Sequence, residues 1–292
     1  HVSGQSSGAH LAGCVVTKRV HAVSGPFTTI SAAVADLKSL NNPLVGHSCV
    51  LILDGATYGE QVLVENFTNN GAAITIRADP ASGLRPLLDP PASSTAAFRI
   101  ANASVNVIGL DINVDQKIPY GVWASSGYVS LSDVKITTSG TLGIYTAGVR
   151  LSSWSGVNFS TVVIGGAQGI WVDGTLSSVT YSTAIVKGSG LAAVYMSGAD
   201  SNTVTDSYIQ NLGGYGAILD TGSDYNTVSQ SVLVSSSSVN YALYLNAADS
   251  NTVTGSSLWN PTGYGAYLNT GSEKNVISQS TVVSNNAIDW AL

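Results

Sequence analysis

Charged residues are scarce in this sequence. Lys, Arg, Asp and Glu together make up 10% of its 292 residues, whereas soluble domains average about 25%. The 11 basic residues are outnumbered by 17 acidic ones, so the net charge is −6. A protein that binds nucleic acid through phosphate neutralisation needs a basic surplus, and this composition therefore excludes a nucleic-acid partner of that kind.

Long apolar runs are missing as well. No run reaches the roughly 18 residues that a transmembrane helix requires, so no membrane span is expected. Hydrophobic residues nevertheless make up 44% of the chain, which excludes an intrinsically disordered protein. The 31 glycines follow no three-residue period, which excludes collagen. A folded chain with this composition must bury much apolar surface, either internally or in an assembly.

Cysteine is rare too, since the chain contains only Cys14 and Cys49. The sequence begins with His1 rather than Met. We interpret this as a mature protein whose signal peptide has been removed, with a truncated chain as the alternative. The expected location is therefore extracellular or at the cell surface. Because secreted proteins form disulfides, we expect a Cys14–Cys49 bridge, and two buried free thiols are the alternative.

A repeat in the C-terminal third predicts the fold. The segments DSNTVT (200–205), DYNTVS (224–229), DSNTVT (249–254) and EKNVIS (273–278) are copies of one motif. Their aligned asparagines, spaced by 24, 25 and 24 residues, are Asn202, Asn226, Asn251 and Asn275. Each repeat contains short β-forming runs and no helix-length segment. A period near 24 without a helix predicts a solenoid with one coil per repeat, in which these asparagines form a structural ladder.

The N-terminal region has a different pattern. Residues 27–40 place Ile30, Val34, Leu37 and Leu40 on one helical face, and Thr28 or Thr29 is the expected N-cap. We predict an amphipathic helix that covers the open end of the solenoid. The predicted divisions are a leader with the first strand (1–26), a helical cap and connection (27–47) and the β-helix (48–292), all within one domain.

The segment FTTISAAV, followed by a strand and by GATYGEQV (55–62), resembles the opening of right-handed parallel β-helix proteins of the pectate-lyase-like superfamily. The resemblance implies an all-β, right-handed, single-stranded parallel β-helix. It implies no particular activity, because the superfamily includes pectin methylesterases and polygalacturonases but also non-enzymatic adhesins and phage tailspikes. If Cys14 and Cys49 begin equivalent strands of successive coils, they are ladder neighbours.

The catalytic motifs of those enzymes are missing from the sequence. It contains no DD pair and no His after His47. Only Asp111, Asp115 and Asp133 approach an acidic cluster, and the aligned coils place Asp111 beside Lys135 as an exposed ion pair. We therefore predict no catalytic residue, no metal site and no cofactor. We also expect no pair of carboxylates about 5–10 Å apart, as glycosidases require, on the aromatic face.

That aromatic face follows from the middle strand of each coil, where one outward residue lies between two inward ones. The outward residues form the first stripe: Arg99, Trp123, Arg150, Trp171, Tyr195, Ile218, Tyr244 and Tyr267. Another strand predicts a second, apolar stripe: Val163, Ile185, Val234, Trp259 and Val283. Three explanations stay open: a protein interface, a glycan groove, or coverage by the insertions 79–97 and 138–147. Asp173 and Asp220 are interpreted as turn residues that accept backbone N–H groups.

The leading functional interpretation is a non-catalytic extracellular structural protein that self-associates. Its last coil, which ends in residues 285–292, is expected to be uncapped and to extend head to tail into a filament. The alternative is a carbohydrate-active β-helix that binds or cleaves a polysaccharide along the first stripe. If the protein is an enzyme, the expected activity is that of a polysaccharide lyase or hydrolase.

Overall fold

A computed structural model describes residues 13–114, 118–138 and 147–284. These residues form an all-β, right-handed parallel β-helix, as the repeat predicts. Each full coil adds one strand to sheet 1, then one to sheet 2 and one to sheet 3, and every strand pairs in parallel with its equivalents in adjacent coils. The stacking follows because each coil leaves both backbone edges unpaired until a neighbour covers them.

Three sheets make up the wall of the β-helix, and the strands of each follow one another in stacking order. Sheet 1 contains Val16–Val20, Ser48–Ile52, Ile74–Ala78, Ser104–Ile108, Tyr128–Ser132, Gly156–Asn158, Ser178–Thr180, Thr203–Thr205, Thr227–Ser229, Thr252–Thr254 and Val276–Ser278. Sheet 2 contains Thr57–Tyr58, Leu87–Leu88, Asp111–Asn113, Lys135–Thr137, Thr161–Ile164, Thr183–Val186, Tyr208–Asn211, Val232–Ser235, Ser257–Asn260 and Thr281–Ser284. Sheet 3 contains Val62–Glu65, Ala96–Ala101, Tyr120–Ala124, Ala147–Leu151, Gln168–Val172, Ala192–Ser197, Tyr215–Asp220, Leu243–Leu245 and Ala266–Leu268.

A single helix in the described residues, Ile30–Leu40, packs at the N-terminal end of the coils. Thr29 is the N-cap, and its side chain accepts a hydrogen bond from the Ala32 N–H. The Glu60 carboxylate also accepts the N–H groups of Ile30 and Ser31, at 2.7 and 2.9 Å. The GATYGEQV segment therefore contributes an acceptor for the positive end of the helix.

The buried face of this helix differs at one position from the predicted one. Ile30, Val34 and Leu37 are buried as expected, but Leu40 is 73% exposed and Ala33 is buried instead. Leu40 is the last helical residue, and the following Asn41 N–H already bonds to the Leu37 carbonyl. The helix thus ends before its fourth predicted contact reaches the core.

The four repeat asparagines lie in one continuous stack. The Asn226 side chain accepts the Asn202 N–H at 2.8 Å, Asn251 accepts the Asn226 N–H at 2.8 Å, and Asn275 accepts the Asn251 N–H at 2.8 Å. At the N-terminal end of this stack, the Asn202 side chain accepts the N–H of Ser177, from the preceding coil, at 2.7 Å. The first three asparagines are almost completely buried, so these bonds satisfy backbone groups that water cannot reach.

A second ladder, of serines, runs along the opposite edge of sheet 1. Each hydroxyl oxygen accepts a backbone N–H of the preceding coil at 3.1–3.2 Å, through Ser160, Ser182, Ser207, Ser231, Ser256 and Ser280. Sequence analysis did not identify this ladder. Its signal is a serine two residues after each sheet 1 strand from Gly156–Asn158 onward, which is easily overlooked in a chain rich in serine.

The structure joins Cys14 and Cys49 in a disulfide, with their Cα atoms 5.8 Å apart. The expected register between them is wrong, however, because Cys49 pairs with Thr17 in the sheet. Cys14 lies two residues before the strand Val16–Val20 and bonds to Cys49 from there. The similar sequences CVV and CVLIL suggested that Cys14 lies opposite Cys49. Backbone pairing instead places Thr17, three residues later, opposite Cys49.

Candidate functional site

The first stripe forms one column on the outside of sheet 3. Strand pairing aligns Arg99 with Trp123, then Arg150, Trp171, Tyr195, Ile218, Tyr244 and Tyr267. The flanking residues point inward, as shown by the buried side chains of Val122 and Ala124 on either side of Trp123. Most of the column is half-buried, but Ile218 is only 8% exposed and interrupts the aromatic surface.

A second column of tyrosines lies beside the first and was missed in the sequence analysis. Its members precede the first column by three residues: Tyr120, Tyr215, Tyr241 and Tyr264. The column is interrupted between Tyr120 and Tyr215, where it holds Ala147, Gln168 and Ala192. An offset of three would reverse the direction of a side chain in a regular strand. Here Gly121 and Val122 are both buried in the wall, and Tyr120 packs on the outer side with its ring stacked on Trp123 at 5.0 Å. Tyr120 itself is only 8% exposed.

Glycine is required at this irregularity. A Cβ atom on Gly121 would lie 2.6 Å from the Gly148 carbonyl oxygen and 2.9 Å from side chains of the core. The recurring Tyr-Gly or Tyr-Ala pair is thus the sequence signal for the second column, since a small residue at the inward position lets the preceding tyrosine remain outside.

The two arginines of the first stripe are held by carboxylates and aromatic rings. Arg150 Nε and Nη2 lie 2.8 and 2.6 Å from Asp173 Oδ2, and Arg150 Nη1 donates to the Tyr120 hydroxyl at 3.1 Å. The Arg150 guanidinium also lies 4.5 Å from the centre of the Trp171 ring. Burial lowers the pKa of Arg150, but its hydrogen bonds to Asp173 and Tyr120 outweigh that effect and raise it.

Asp173 is therefore an ion-pair partner rather than the predicted turn residue. Asp220 does accept the Thr221 N–H, at 2.9 Å, but it also accepts the Tyr195 hydroxyl at 2.8 Å. Burial raises the pKa of Asp220, and the hydrogen bonds from Thr221, Asn246 and Tyr195 more than offset this, so the pKa lies below its ordinary value. The Asp220 carboxylate is consequently ionised at neutral pH.

Tyrosines dominate the later coils of the face. Tyr241 stacks on Tyr267 with a centroid distance of 4.7 Å, and Tyr215 stacks on Tyr244 at 5.6 Å. Tyr264 joins the cluster 5.5 Å from Tyr241. Burial and neighbouring tyrosines raise the pKa of Tyr241, and burial with Tyr244 raises that of Tyr215. Tyr215 and Tyr241 are therefore neutral at physiological pH. The rings of the five tyrosines form a continuous aromatic surface.

Two carboxylates of this face share a column, and the expected absence of a catalytic carboxyl pair stays a prediction. Ser197 pairs with Asp220, and Met196 pairs with Val172. The same register continued by one residue places Asp173 opposite Ser197, so Asp173 and Asp220 are two coils apart. Two interstrand spacings place the backbones of Asp173 and Asp220 about 9.6 Å apart. A glycosidase needs one carboxyl group with a raised pKa as the general acid. Because Asp220 has a lowered pKa and Asp173 is paired with Arg150, this arrangement is suited to hydrogen bonding rather than to acid catalysis.

At its N-terminal end, the face opens into a groove beside the helix. The groove is about 370 Å³ and is lined by Val34, Lys38, Gln61, Leu63 and Glu65, among others. Leu63 pairs with Arg99, so the groove continues the first stripe by one coil. Glu65 Oε1 lies 3.0 Å from Arg99 Nε, and the Arg99 guanidinium lies 5.3 Å from the centre of the Trp123 ring.

The first part of the insertion 79–97 packs beside Ile108 and Asp133 rather than on this face. Arg85 reaches the edge between sheets 1 and 2, where it lies 2.8 Å from both Asp111 Oδ1 and Asp133 Oδ2. The expected ion pair of Asp111 with Lys135 is therefore replaced by one with Arg85, although Lys135 and Asp111 are paired in register. Arg85 lies just before the strand Leu87–Leu88, in the coil that precedes Asp111, and reaches both carboxylates from there. Asp115 and most of the insertion 138–147 lie outside the described residues.

The second stripe lies in one column of sheet 2, but it is not continuous. Pairing aligns Val163 with Ile185, Gln210, Val234, Trp259 and Val283. Gln210 thus interrupts the apolar column, and Val234 is only 6% exposed. Trp259, the aromatic residue of this column, is 38% exposed. The exposed apolar surface of sheet 2 is therefore smaller than the sequence predicted.

Within the described ranges, no group of three or more His, Cys, Asp or Glu side chains could hold a metal ion. The same part of the chain contains no helix of sufficient length and apolarity to cross a membrane. The distinctive surface is therefore the pair of aromatic columns on sheet 3.

Comparisons with known proteins agree with this architecture. The family model "Right handed beta helix region" matches residues 121–290, whereas no curated protein matches. Pectate lyase Pel9A is similar with a TM-score of 0.59 and 15% identity, over 96% of this chain and 79% of that one.

Two further solved structures are similar at the level of the fold. Geobacillus virus E2 ORF18 has a TM-score of 0.53 and 10% identity, over 87% of this chain and 57% of the viral one. A mutant DFA-IIIase from Arthrobacter chlorophenolicus A6, in complex with DFA-III, has a TM-score of 0.52 and 12% identity, over 82% of this chain and 67% of that one.

Proposed function

Because this chain belongs to the right-handed β-helix family, we propose that it is a secreted carbohydrate-active β-helix that binds a polysaccharide along the outer face of sheet 3. The observation that carries the proposal is the pair of aligned columns, with Trp123, Trp171 and Tyr195 in one and Tyr215 and Tyr241 in the other. Aromatic side chains with polar edges offer both an apolar surface and hydrogen bonds, which is what a sugar requires of its site.

The geometry of the columns favours a polymer over a small sugar. The nine strands of sheet 3 extend about 38 Å along the helix axis at the usual interstrand spacing. Along that length the edge of the face presents hydrogen-bonding groups, including Ser152, Ser197, Asn246 and Asn269. Asn269 donates to the Tyr244 hydroxyl at 2.9 Å. A linear chain of sugars could follow this surface and contact the side chains of several coils at once.

Two further observations support the proposal. Pectate lyase Pel9A, which shares the fold, is named for its action on a polysaccharide. The disulfide between Cys14 and Cys49 is typical of proteins from oxidising, extracellular compartments. Identities of 10–15% with the solved structures make these supporting arguments about the fold, and the site itself carries the functional inference.

The proposal is tested by affinity gel electrophoresis and calorimetry on a panel of soluble polysaccharides. We expect the wild-type protein to bind at least one linear polymer, and Trp123→Ala and Tyr267→Ala each to weaken that binding about tenfold, which corresponds to about 1.4 kcal/mol. Circular dichroism of each variant establishes that its fold is retained.

The matched control is Trp259→Ala, which removes an exposed aromatic from sheet 2. It should leave polysaccharide binding unchanged. Failure to bind every polymer of the panel, or an equal loss of affinity in the Trp259→Ala variant, would contradict the proposed site. A reducing-sugar assay on the same samples shows whether binding is accompanied by cleavage.

A further inference from the structure

The charges on the outer face of sheet 3 indicate which class of polysaccharide it accepts. Resting on the proposed function, we infer that the face binds a neutral polysaccharide and discriminates against polyuronates. A polyuronate carries a carboxylate on each sugar, so its recognition requires cationic side chains with free hydrogen-bond donors. The structure shows how the cations of the face are already used.

Arg150 presents no free fork to a ligand carboxylate, and Arg99 already has a protein carboxylate beside its Nε. The Nε, Nη1 and Nη2 atoms of Arg150 are all directed at Asp173 or Tyr120. Arg99 Nε lies 3.0 Å from the Glu65 carboxylate. Each guanidinium also lies over an indole ring, Arg99 over Trp123 and Arg150 over Trp171. A uronate would have to displace a protein carboxylate that is already well placed.

Among the described residues beyond Arg150, neither column contains a cation. The later coils present Tyr195, Tyr215, Tyr241, Tyr244, Tyr264 and Tyr267. Raised pKa values keep Tyr195, Tyr215 and Tyr241 protonated, so these phenols are neutral hydrogen-bonding groups. This combination of neutral donors and ring surface complements the hydroxyls and C–H groups of an uncharged sugar.

The remaining charges on the face repel anions. Asp220 is ionised, since its hydrogen bonds lower its pKa, and it lies among the tyrosines through its bond from Tyr195. Asp173 and Glu65 compensate the two arginines, so Asp220 leaves the columns and their paired carboxylates with a net charge of −1. Lys38, which lines the groove at the N-terminal end, lies outside the columns. The whole chain has a net charge of −6, so long-range electrostatics also oppose the approach of a polyanion.

The test compares polymers that share a backbone but differ in charge. Calorimetry and affinity electrophoresis would use polygalacturonate, the same polymer with full methyl esterification, and neutral glucan, galactan, xylan and mannan. We expect binding to at least one neutral polymer, with less than a twofold change in Kd between 50 and 500 mM NaCl, and no measurable binding of polygalacturonate. Salt insensitivity is expected because the recognition involves no ligand charge.

A gain of function provides the sharper test. Asp173→Asn removes the principal carboxylate partner of Arg150 and should introduce polygalacturonate binding that disappears at high salt. The control Asp206→Asn removes the same charge at a corner of sheet 1, where Asp206 has a left-handed backbone (φ 50°) that asparagine tolerates. It releases no arginine of the face and should bind no polyuronate.

The outcomes separate this inference from the proposed function. Binding of a neutral polymer that is independent of salt, together with the gain in Asp173→Asn, supports both. Tight, salt-sensitive binding of polygalacturonate by the wild-type protein overturns the inference and leaves the proposed function intact. Binding of no polymer overturns both. Neutral binding without any gain in the Asp173→Asn variant overturns the role assigned to the Arg150–Asp173 pair.

Discussion

Bulky side chains occupy left-handed backbone positions at the corners of sheet 1. Trp154, Phe159, Tyr181 and Tyr225 have φ values between 47° and 63°, where Cβ crowds the following carbonyl oxygen. In other coils the equivalent corners hold Leu, Asn, Asp, Gly, Ser, Gln or Lys. In the later coils the corner conformation directly precedes a residue of the asparagine or serine ladder, as Tyr225 precedes Asn226 and Gln230 precedes Ser231.

Replacing one of these residues should therefore stabilise the protein. Tyr225 has φ 58° and is 67% exposed. We expect Tyr225→Asn to raise the free energy of unfolding by about 1 kcal/mol, because asparagine tolerates the left-handed region. Differential scanning calorimetry should show a melting temperature about 2 °C higher.

The matched control is Tyr128→Asn. Tyr128 is 50% exposed but lies in the extended strand Tyr128–Ser132, where asparagine is less favourable than tyrosine. This variant should melt at a lower temperature than the wild type. If both variants shift the melting temperature in the same direction, the backbone explanation for Tyr225 is wrong.

At the scale of the structural element, the two polar ladders hold successive coils together at the edges of sheet 1. A side-chain oxygen in one coil accepts a backbone N–H of the preceding coil, in the asparagine ladder and in the serine ladder alike. A corner cannot form regular strand pairing, so its backbone groups need another partner when they are buried. The ladders provide that partner without a loop or a bound water molecule.

We expect Asn226→Ala to lower the free energy of unfolding by about 2–3 kcal/mol. The substitution removes the acceptor for both the backbone N–H and the side-chain amide of Asn202, which are buried. A buried donor without a partner costs about 1–3 kcal/mol. Urea denaturation monitored by tryptophan fluorescence measures the change.

A half-buried asparagine on the outer surface of sheet 1 serves as the control. Asn106 makes a single 3.2 Å bond to Thr75, and Asn106→Ala should cost less than about 1 kcal/mol. Equal effects of the two substitutions would show that the ladder contributes no more than an ordinary surface hydrogen bond.

For the whole molecule, self-association stays a prediction. The low charge weakens the repulsion between copies, and Trp154, Phe159 and Tyr181 are 57–63% exposed. Phe159 stacks on Tyr181 at 5.0 Å, which gives sheet 1 an exposed aromatic edge away from the proposed glycan face. Residues 285–292, which the predicted head-to-tail contact involves, lie outside the described residues.

Light scattering coupled to size exclusion, over a concentration series, tests this prediction. We expect masses that are multiples of the monomer and that increase with concentration. Deletion of residues 285–292 should yield monomers if contacts are head to tail, whereas Phe159→Ser combined with Tyr181→Ser should do so if the corners of sheet 1 form the contact. A monomer at every concentration would contradict the prediction of self-association.

Local sequence patterns determined the coil architecture and the residues of one outer face. The 24-residue repeat, the alternation around Val122, Trp123 and Ala124, and the Thr29 cap were all readable from the chain. They determined the parallel β-helix, the register of the first stripe and the position of the helix. This was possible because strand and helix periods are local, and because a coil stacked on its own copies repeats its pattern.

Only the tertiary structure decided how side chains on different coils pair. The partnership of Arg150 with Asp173, the contact of Arg85 with Asp111 and the true register of Cys49 each join residues more than 20 positions apart. The second tyrosine column depends on the inward turn at Gly121, which breaks the strand period. Sequence patterns report which face a residue occupies, but the charge that a ligand meets on that face depends on which neighbours have already paired across the coils.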